Sequence, residues 1–447
     1  FSSLWSARRR WRRSSPAALK TTPTLFRCQP RVMCTLVPAK RTQRIQDIVS
    51  FGITQLMQDA QAVDLRNGCS DVPPPDFIVE ALQEAISKDA SHQYTRDLGH
   101  VRLVNALARM YSLVTKRDID PFKEILVTVD AHGALHDTFQ GLVNPGDEVI
   151  IIEPFSNRYE SMVRMADGVP VFVPLRPTKE GERRRADWIL DTAELASKCN
   201  SKTKMIILNS PHSPTGKVFT WEELDTIARL CIENNVICVA DESLEWAVFD
   251  GANHVRMNTL PGMWERTVTI GSADTTFGVT GWKIGWAYGP PPLMRGLRLV
   301  HQNCVALVCT VLQEAVAVAL EKVTKEMVDR AGYLSAMSVS MQKKRDFMCE
   351  ALSSVGIMPT LPEAGHFIVC DFSSIGSVVD FEGKEPKDCM LATWLLRKKN
   401  LLVSPLSTFY SADHRHFAGH MISICFAKSD STLEKAAAIF SQLTAVS

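Results

Sequence analysis

From about residue 120 the sequence alternates short apolar, β-branched runs with stretches of helix length. The runs are Ile125–Val129, Val149–Ile152, Val169–Val173, Met205–Leu208, Val236–Ala240 and Val268–Ile270. A strand that is apolar on both faces must be covered on both faces, and helical crossovers between such strands build a mostly parallel sheet. That pattern excludes sandwiches, bundles and repeats and predicts an α/β fold. Thr220 followed by Glu223 is a capping box, and Leu224, Ile227, Ala228 and Cys231 keep helical spacing behind it. Beyond about residue 300 long helical patterns take over. A smaller α+β segment follows, with strands near His366–Asp371 and Met421–Phe426 and a final helix from about Thr432.

The boundaries that follow are a segment 1–44, a joining segment 45–120, a large α/β domain 121–330 and a small α+β domain 331–447. A length of 447 residues with 45% hydrophobic and 22% charged content is ample for such cores and excludes a disordered chain. No apolar run reaches the roughly 20 residues of a membrane-spanning helix. The twelve cysteines form no CxxC pair, and several lie in apolar runs, so they read as reduced core thiols. The charged stretch 176–186 reads as a solvated loop, and so does the histidine cluster His414, His416 and His420.

Charge is distributed unevenly. Residues 1–44 carry eleven basic side chains and no acid, leaving 39 basic against 49 acidic residues in 45–447, a net of −10. An Arg-rich, Ser-containing, acid-free leading segment is the composition of a mitochondrial targeting sequence, and the opening residue Phe1 suggests that something upstream was removed. The expectation is a mitochondrial matrix protein. Its arm, with Arg8, Arg9, Arg10, Arg12 and Arg13 and with Trp5 and Trp11 among the arginines, would engage RNA or another anionic partner.

Several segments then occur in a telling order: Tyr94-Thr95-Arg96 with Gly99-His100, Gly146-Asp147-Glu148-Val149 leading to Glu153-Pro154-Phe155, and Asn209 to Lys217. They are followed by Asp241-Glu242, Pro261 to Arg266, and Thr280-Gly281-Trp282-Lys283-Ile284-Gly285-Trp286. Together they resemble the fold-type I aminotransferases that use pyridoxal phosphate (PLP), nearest the kynurenine aminotransferase and cysteine-conjugate β-lyase group, over roughly residues 45–445. The resemblance implies the PLP-dependent transferase fold, a mostly parallel sheet in a large domain with a smaller α+β C-terminal domain. It also implies a dimer, of two copies or with a related chain.

The resemblance further assigns positions. Asp241 would pair with the ring nitrogen, Ser272 and Lys283 would hold the phosphate, and Tyr94 would reach it across the dimer. The lysine that forms the Schiff base falls at Thr275, beside Asp274 in a glycine position. The arginine that clamps the substrate carboxylate falls at Ser423, the partners of the ring hydroxyl at Ser213 and Leu244, the ring-stacking aromatic at Ser156, and a tyrosine at His132. A hydroxyl forms no imine and is a far weaker base than an amine. His132 and His136, four apart, lack a third ligand, so no metal site is expected. These losses lead to the expectation of a catalytically inactive, non-enzymatic scaffold subunit of a mitochondrial assembly, and the basic arm on an acidic body favours a ribonucleoprotein such as the mitochondrial ribosome or its assembly intermediate. Protein subunits and RNA would be its partners, and no cofactor is expected beyond weak, non-covalent PLP. The alternative is a PLP-dependent aminotransferase or β-lyase with altered or residual activity.

Overall fold

The computed structural model describes residues 37, 39–45, 62–66, 68, 70–177, 188–328, 332–374 and 385–443. The basic cluster Arg8 to Arg13 lies outside the described residues, as does most of the 176–186 loop.

The strands expected from the apolar runs form one eight-stranded sheet. They are β2 (Ile125–Val129), β3 (Glu148–Glu153), β4 (Val169–Pro177), β5 (Trp188–Leu190), β6 (Thr203–Asn209), β7 (Ile237–Asp241), β8 (Thr267–Ser272) and β9 (Ile284–Tyr288), in the order β2-β9-β8-β7-β6-β3-β4-β5. The five central strands, β8 to β4 in that order, run parallel, while β9 is antiparallel to both its neighbours. Alternate residues of one strand reach opposite faces, so Ile206, Leu208, Cys238 and Ala240 join one fully buried cluster while Met205, Ile207 and Val239 join another. The crossovers include α3 (Asp130–Leu142), α4 (Asn157–Met165), α5 (Thr192–Lys198) and α6 (Trp221–Glu233). Helix α6 begins at the predicted capping box: the Glu223 amide donates to Thr220 Oγ1 at 3.2 Å, and the Thr220 amide donates to Glu223 Oε2 at 2.9 Å.

Preceding this sheet are β1 (Val63–Asp64), α1 (Asp76–Ile86) and α2 (Val101–Thr115). After it come α7 (Ala273–Phe277, between β8 and β9), α8 (Pro291–Cys304), α9 (Thr310–Val328) and α10 (Tyr333–Ser353). Helix α9 packs on both α1 and α2. A four-stranded antiparallel sheet, order β10-β11-β14-β13, comprises Met358–Pro359, Phe367–Asp371, Met421–Cys425 and Ser404–Pro405 respectively. Helices α11 (Lys387–Lys399) and α12 (Asp430–Ser441) accompany it, and β1 pairs in parallel with β12 (Leu401–Leu402). No described helix is long and apolar enough to cross a membrane. The described cysteines form no disulfide, and Cys231, Cys238, Cys370, Cys389 and Cys425 are buried.

Candidate active site

The carboxyl ends of β2, β7 and β8 and the start of β9 lie side by side, because Val129 registers with Ile284 and Ser272 with Gly285. Parallel sheets bind ligands outside the carboxyl ends of their strands. Two residues there adopt left-handed backbone, Asp130 at φ 63° and Lys283 at φ 57°, and the Asp130 amide donates to the Lys283 carbonyl at 3.1 Å. Gly285 is dictated by this crossing, since a Cβ there would sit 2.3 Å from the Asp130 carbonyl carbon.

Asp241 ends β7 as a buried carboxylate with both oxygens engaged. Tyr159 Oη donates to Oδ2 at 2.5 Å, and Ser243 Oγ donates to Oδ1 at 2.6 Å. Burial, reinforced by Asp241, raises the Tyr159 phenol well above its ordinary value, so it stays a donor. Asn209 ties the next strand in, donating Nδ2–H to the Asp241 carbonyl at 3.0 Å and accepting the Ser213 amide at 2.8 Å.

The other implied positions cluster around Lys283. Its Nζ stands 3.0 Å from Asp130 Oδ2 and 3.4 Å from Asp274 Oδ2. Ser272 Oγ donates to Asp130 Oδ1 at 3.2 Å and accepts the Asp274 amide at 3.1 Å. Burial and the neighbouring Asp130 push the Asp274 carboxyl up to about 7 against the opposing pull of Lys283. Asp130 itself is held well below the usual carboxylate range: hydrogen bonds from His132 and Lys283 outweigh its burial. Thr275 spends its hydroxyl on backbone, donating to the Ser243 carbonyl and approaching the Ser272 carbonyl at 3.3 Å.

Of the remaining positions, Leu244 is buried and follows Ser243, and Ser156 caps α4 without a side-chain cap bond. The neighbouring Phe155 stacks on Phe172 at 5.4 Å, inside the core. Ser423 lies on β14 of the small sheet, opposite Val369 and Ser404, fully buried with an unpartnered hydroxyl. Tyr94 is 91% exposed. His136 pairs with Asp137 at 3.2 Å and His132 with Asp130 at 3.4 Å, so the two do not converge on one ligand. One expectation fails locally: His414 is not merely solvated, because its Nδ1 hydrogen-bonds the fully buried Glu153.

Sequence reading missed Tyr159, Ser243 and Asp130. Tyr159 had a signal, lying three residues after Ser156 on the same helix. It also missed a buried group behind Asp241. Glu242, Glu245 and His254 come within 4.8 Å of one another, near enough to share a cation. The cation is already present in the chain: Arg256 bonds Glu245 Oε2 at 3.0 and 2.5 Å and stacks over Trp246 at 5.0 Å. Tyr111 Oη donates to the other Glu245 oxygen at 2.7 Å.

The sequence profile of the family described as aminotransferase class I and II matches residues 60–440. Kynurenine–oxoglutarate transaminase 3 of Mus musculus is 45% identical over 90% of this chain and 89% of its own length. Kynurenine–oxoglutarate transaminase 1 of Homo sapiens is 43% identical over 85% and 92% respectively. Among solved structures, the aspartate aminotransferase from Thermus thermophilus with maleate superposes with a TM-score of 0.78 at 26% identity, covering 91% of this chain and all of that one.

These findings correct the functional expectation. The inactive scaffold, the non-enzymatic reading and the absence of a cofactor rest on Thr275, Ser423, Ser213, Leu244 and Ser156, and the ribonucleoprotein on the basic arm and acidic body. Relatives at 43–45% identity over most of the chain bear the names of enzymes, and the family indicates pyridoxal phosphate as cofactor. The inference reads five missing side chains as missing chemistry, yet Asp241, Ser272 and Lys283 stand at or beside the strand ends. The donor set suits the group at two points: the fixed Asp241 carboxylate matches a protonated ring nitrogen, and Ser272 with Lys283 offers a hydroxyl and an ammonium to a phosphate. Thr275 offers no amine, so the fit is that of a group held without a bond at 275. By its match along nearly the whole sequence and by its fold, this chain belongs to the class I and II aminotransferase family.

Proposed function

We propose that this protein is a PLP-dependent enzyme of the kynurenine aminotransferase kind with altered, slow chemistry, acting on amino acids and 2-oxo acids. The observation that carries the reading is Asp241: a buried carboxylate at the end of a central strand, oriented by Tyr159 and Ser243. Bound PLP supplies an electron sink for the bond being broken at the amino-acid α-carbon. The chain's part is to hold a proton on the ring nitrogen through Asp241 and to anchor the phosphate through Ser272 and Lys283. Thr275 brings neither covalent attachment nor a competent base. Loss of a positioned base costs about 10²–10⁴ in rate, so turnover lies that far below an enzyme with lysine there.

The test is glutamate formation from kynurenine and 2-oxoglutarate with added PLP, alongside PLP binding followed by fluorescence. Asp241→Asn should lose both the rate and at least tenfold in PLP affinity. Wild-type protein that neither binds PLP nor forms glutamate above the variant's background refutes the proposal.

Two further parts of this reading concern location and assembly. We propose that residues 1–44 direct the chain to the mitochondrial matrix and carry its contacts with anionic partners. We also propose a dimer, with a second copy or a related chain, in which Tyr94 completes the neighbouring pocket. Support comes from the charge of the segment and from the 91% exposure of Tyr94.

A further inference from the structure

The phosphate end of the pocket holds more negative than positive charge before any ligand arrives. Lys283 Nζ already serves two carboxylates, Asp130 at 3.0 Å and Asp274 at 3.4 Å. The Ser272 hydroxyl, the other phosphate donor, is likewise spent on Asp130. Asp274 Oδ1 is buried with no hydrogen-bond partner. A phosphate brings about −1.5 to −2 charges of its own and needs the same ammonium and hydroxyl. It must therefore displace a carboxylate.

We propose that Asp274 places phosphate binding under proton control: a phosphate takes Lys283 and Ser272 from the two aspartates, and Asp274 takes up a proton as it does so. The inference rests on the reading that this pocket receives PLP. Asp274 is the group that yields. It is buried, it faces Asp130 and Lys283, and it has the longer of the two contacts to the ammonium. Asp130 retains the Ala131 amide at 2.7 Å and His132 at 3.4 Å once Lys283 and Ser272 turn to the phosphate, so it keeps its charge. The charged and titratable groups facing Asp274 are thus Asp130 and, beyond it, His132 from α3, and Lys283 from the turn before β9. Its elevated carboxyl value, about 7, places the exchange within reach of ordinary pH.

The direction follows from linkage. Below pH about 7 Asp274 is already protonated and binding costs no proton. Above it, each pH unit weakens binding by about tenfold, because the proton must be recruited. The experiment is calorimetric titration of the full chain with PLP, and separately with inorganic phosphate, between pH 6 and 9, in buffers of different ionisation enthalpy. Ionisation of the ligand itself cancels in the ratio of wild type to Asp274→Asn. The expected result at pH 8 is uptake of about one proton by wild type and none by the variant, with wild type about tenfold weaker. At pH 6 the two should match. Proton uptake by wild type is read without the variant, so the test does not hinge on the variant's folding. A ratio of affinities constant over pH 6–9, with no proton uptake, overturns the inference and leaves the proposed function standing. Failure of both proteins to bind PLP at every pH overturns the two together.

Discussion

Arg256 bonds Glu245 and approaches Glu242, two buried glutamates that His254 also faces at 3.4 Å from Glu242, and loss of the guanidinium should be felt as a pH-dependent loss of stability. The side chains of Glu242 and Glu245 are each 2% exposed, and Arg256 lies 2.5 Å from Glu245 and 4.0 Å from Glu242. Replacing Arg256 with Met keeps an apolar stem and removes the guanidinium, together with its stacking over Trp246. Breaking a buried ion pair from one side costs about 3–5 kcal/mol, because the remaining charge is stranded. Burial already raises the Glu245 carboxyl against the pull of Arg256, and without the arginine it rises further. Between the ordinary glutamate value and this raised one, the folded chain binds more protons than the unfolded chain. Stability therefore falls as pH rises through that window. Urea unfolding of wild type and Arg256→Met, followed by tryptophan fluorescence at pH 5 and pH 8, reads this directly. The variant should lose about 3–5 kcal/mol at pH 8 and, for each unit by which Glu245 has risen, about 1.4 kcal/mol less at pH 5. Equal losses at the two pH values would show that the variant forfeits packing on Trp246 rather than charge compensation, and the argument would fail.

Thr275→Lys places an amine where Thr275 now bonds the Ser243 carbonyl. Borohydride reduction with PLP should then leave a mass adduct on residue 275 of the variant and on no lysine of wild type, as peptide mass spectrometry would show; a wild-type adduct at any lysine contradicts the assignment. A fusion of residues 1–44 to a fluorescent reporter should concentrate in mitochondria, given eleven basic and no acidic residues. Uniform cytosolic fluorescence would dismiss that role.

What was legible from sequence is what repeats or is local. The apolar runs located these six strands to within four residues at either end, and β2 at both ends without error, since burial on both faces forces continuous apolar character. The capping box was read from two residues because its bonds span three positions of chain. The motifs likewise placed Asp241, Ser272, Thr275 and Lys283 in one site, because each stands at or beside the end of a recognisable strand. The functional reading fails where residues are weighed one at a time: five substitutions at the site say less than similarity to named enzymes over 85–90% of the chain.

Tertiary structure decided everything that depends on residues far apart in the chain. Asp130 and Asp274 are 144 positions apart in number and meet on one ammonium only because β2 and β8 both flank β9. Tyr159 reaches Asp241 only because α4 crosses above the strand ends. Arg256 finds Glu245 across a turn that no periodicity announces. A sequence states which charges exist; the interior, where water no longer screens them, decides which must share a partner and what each then costs.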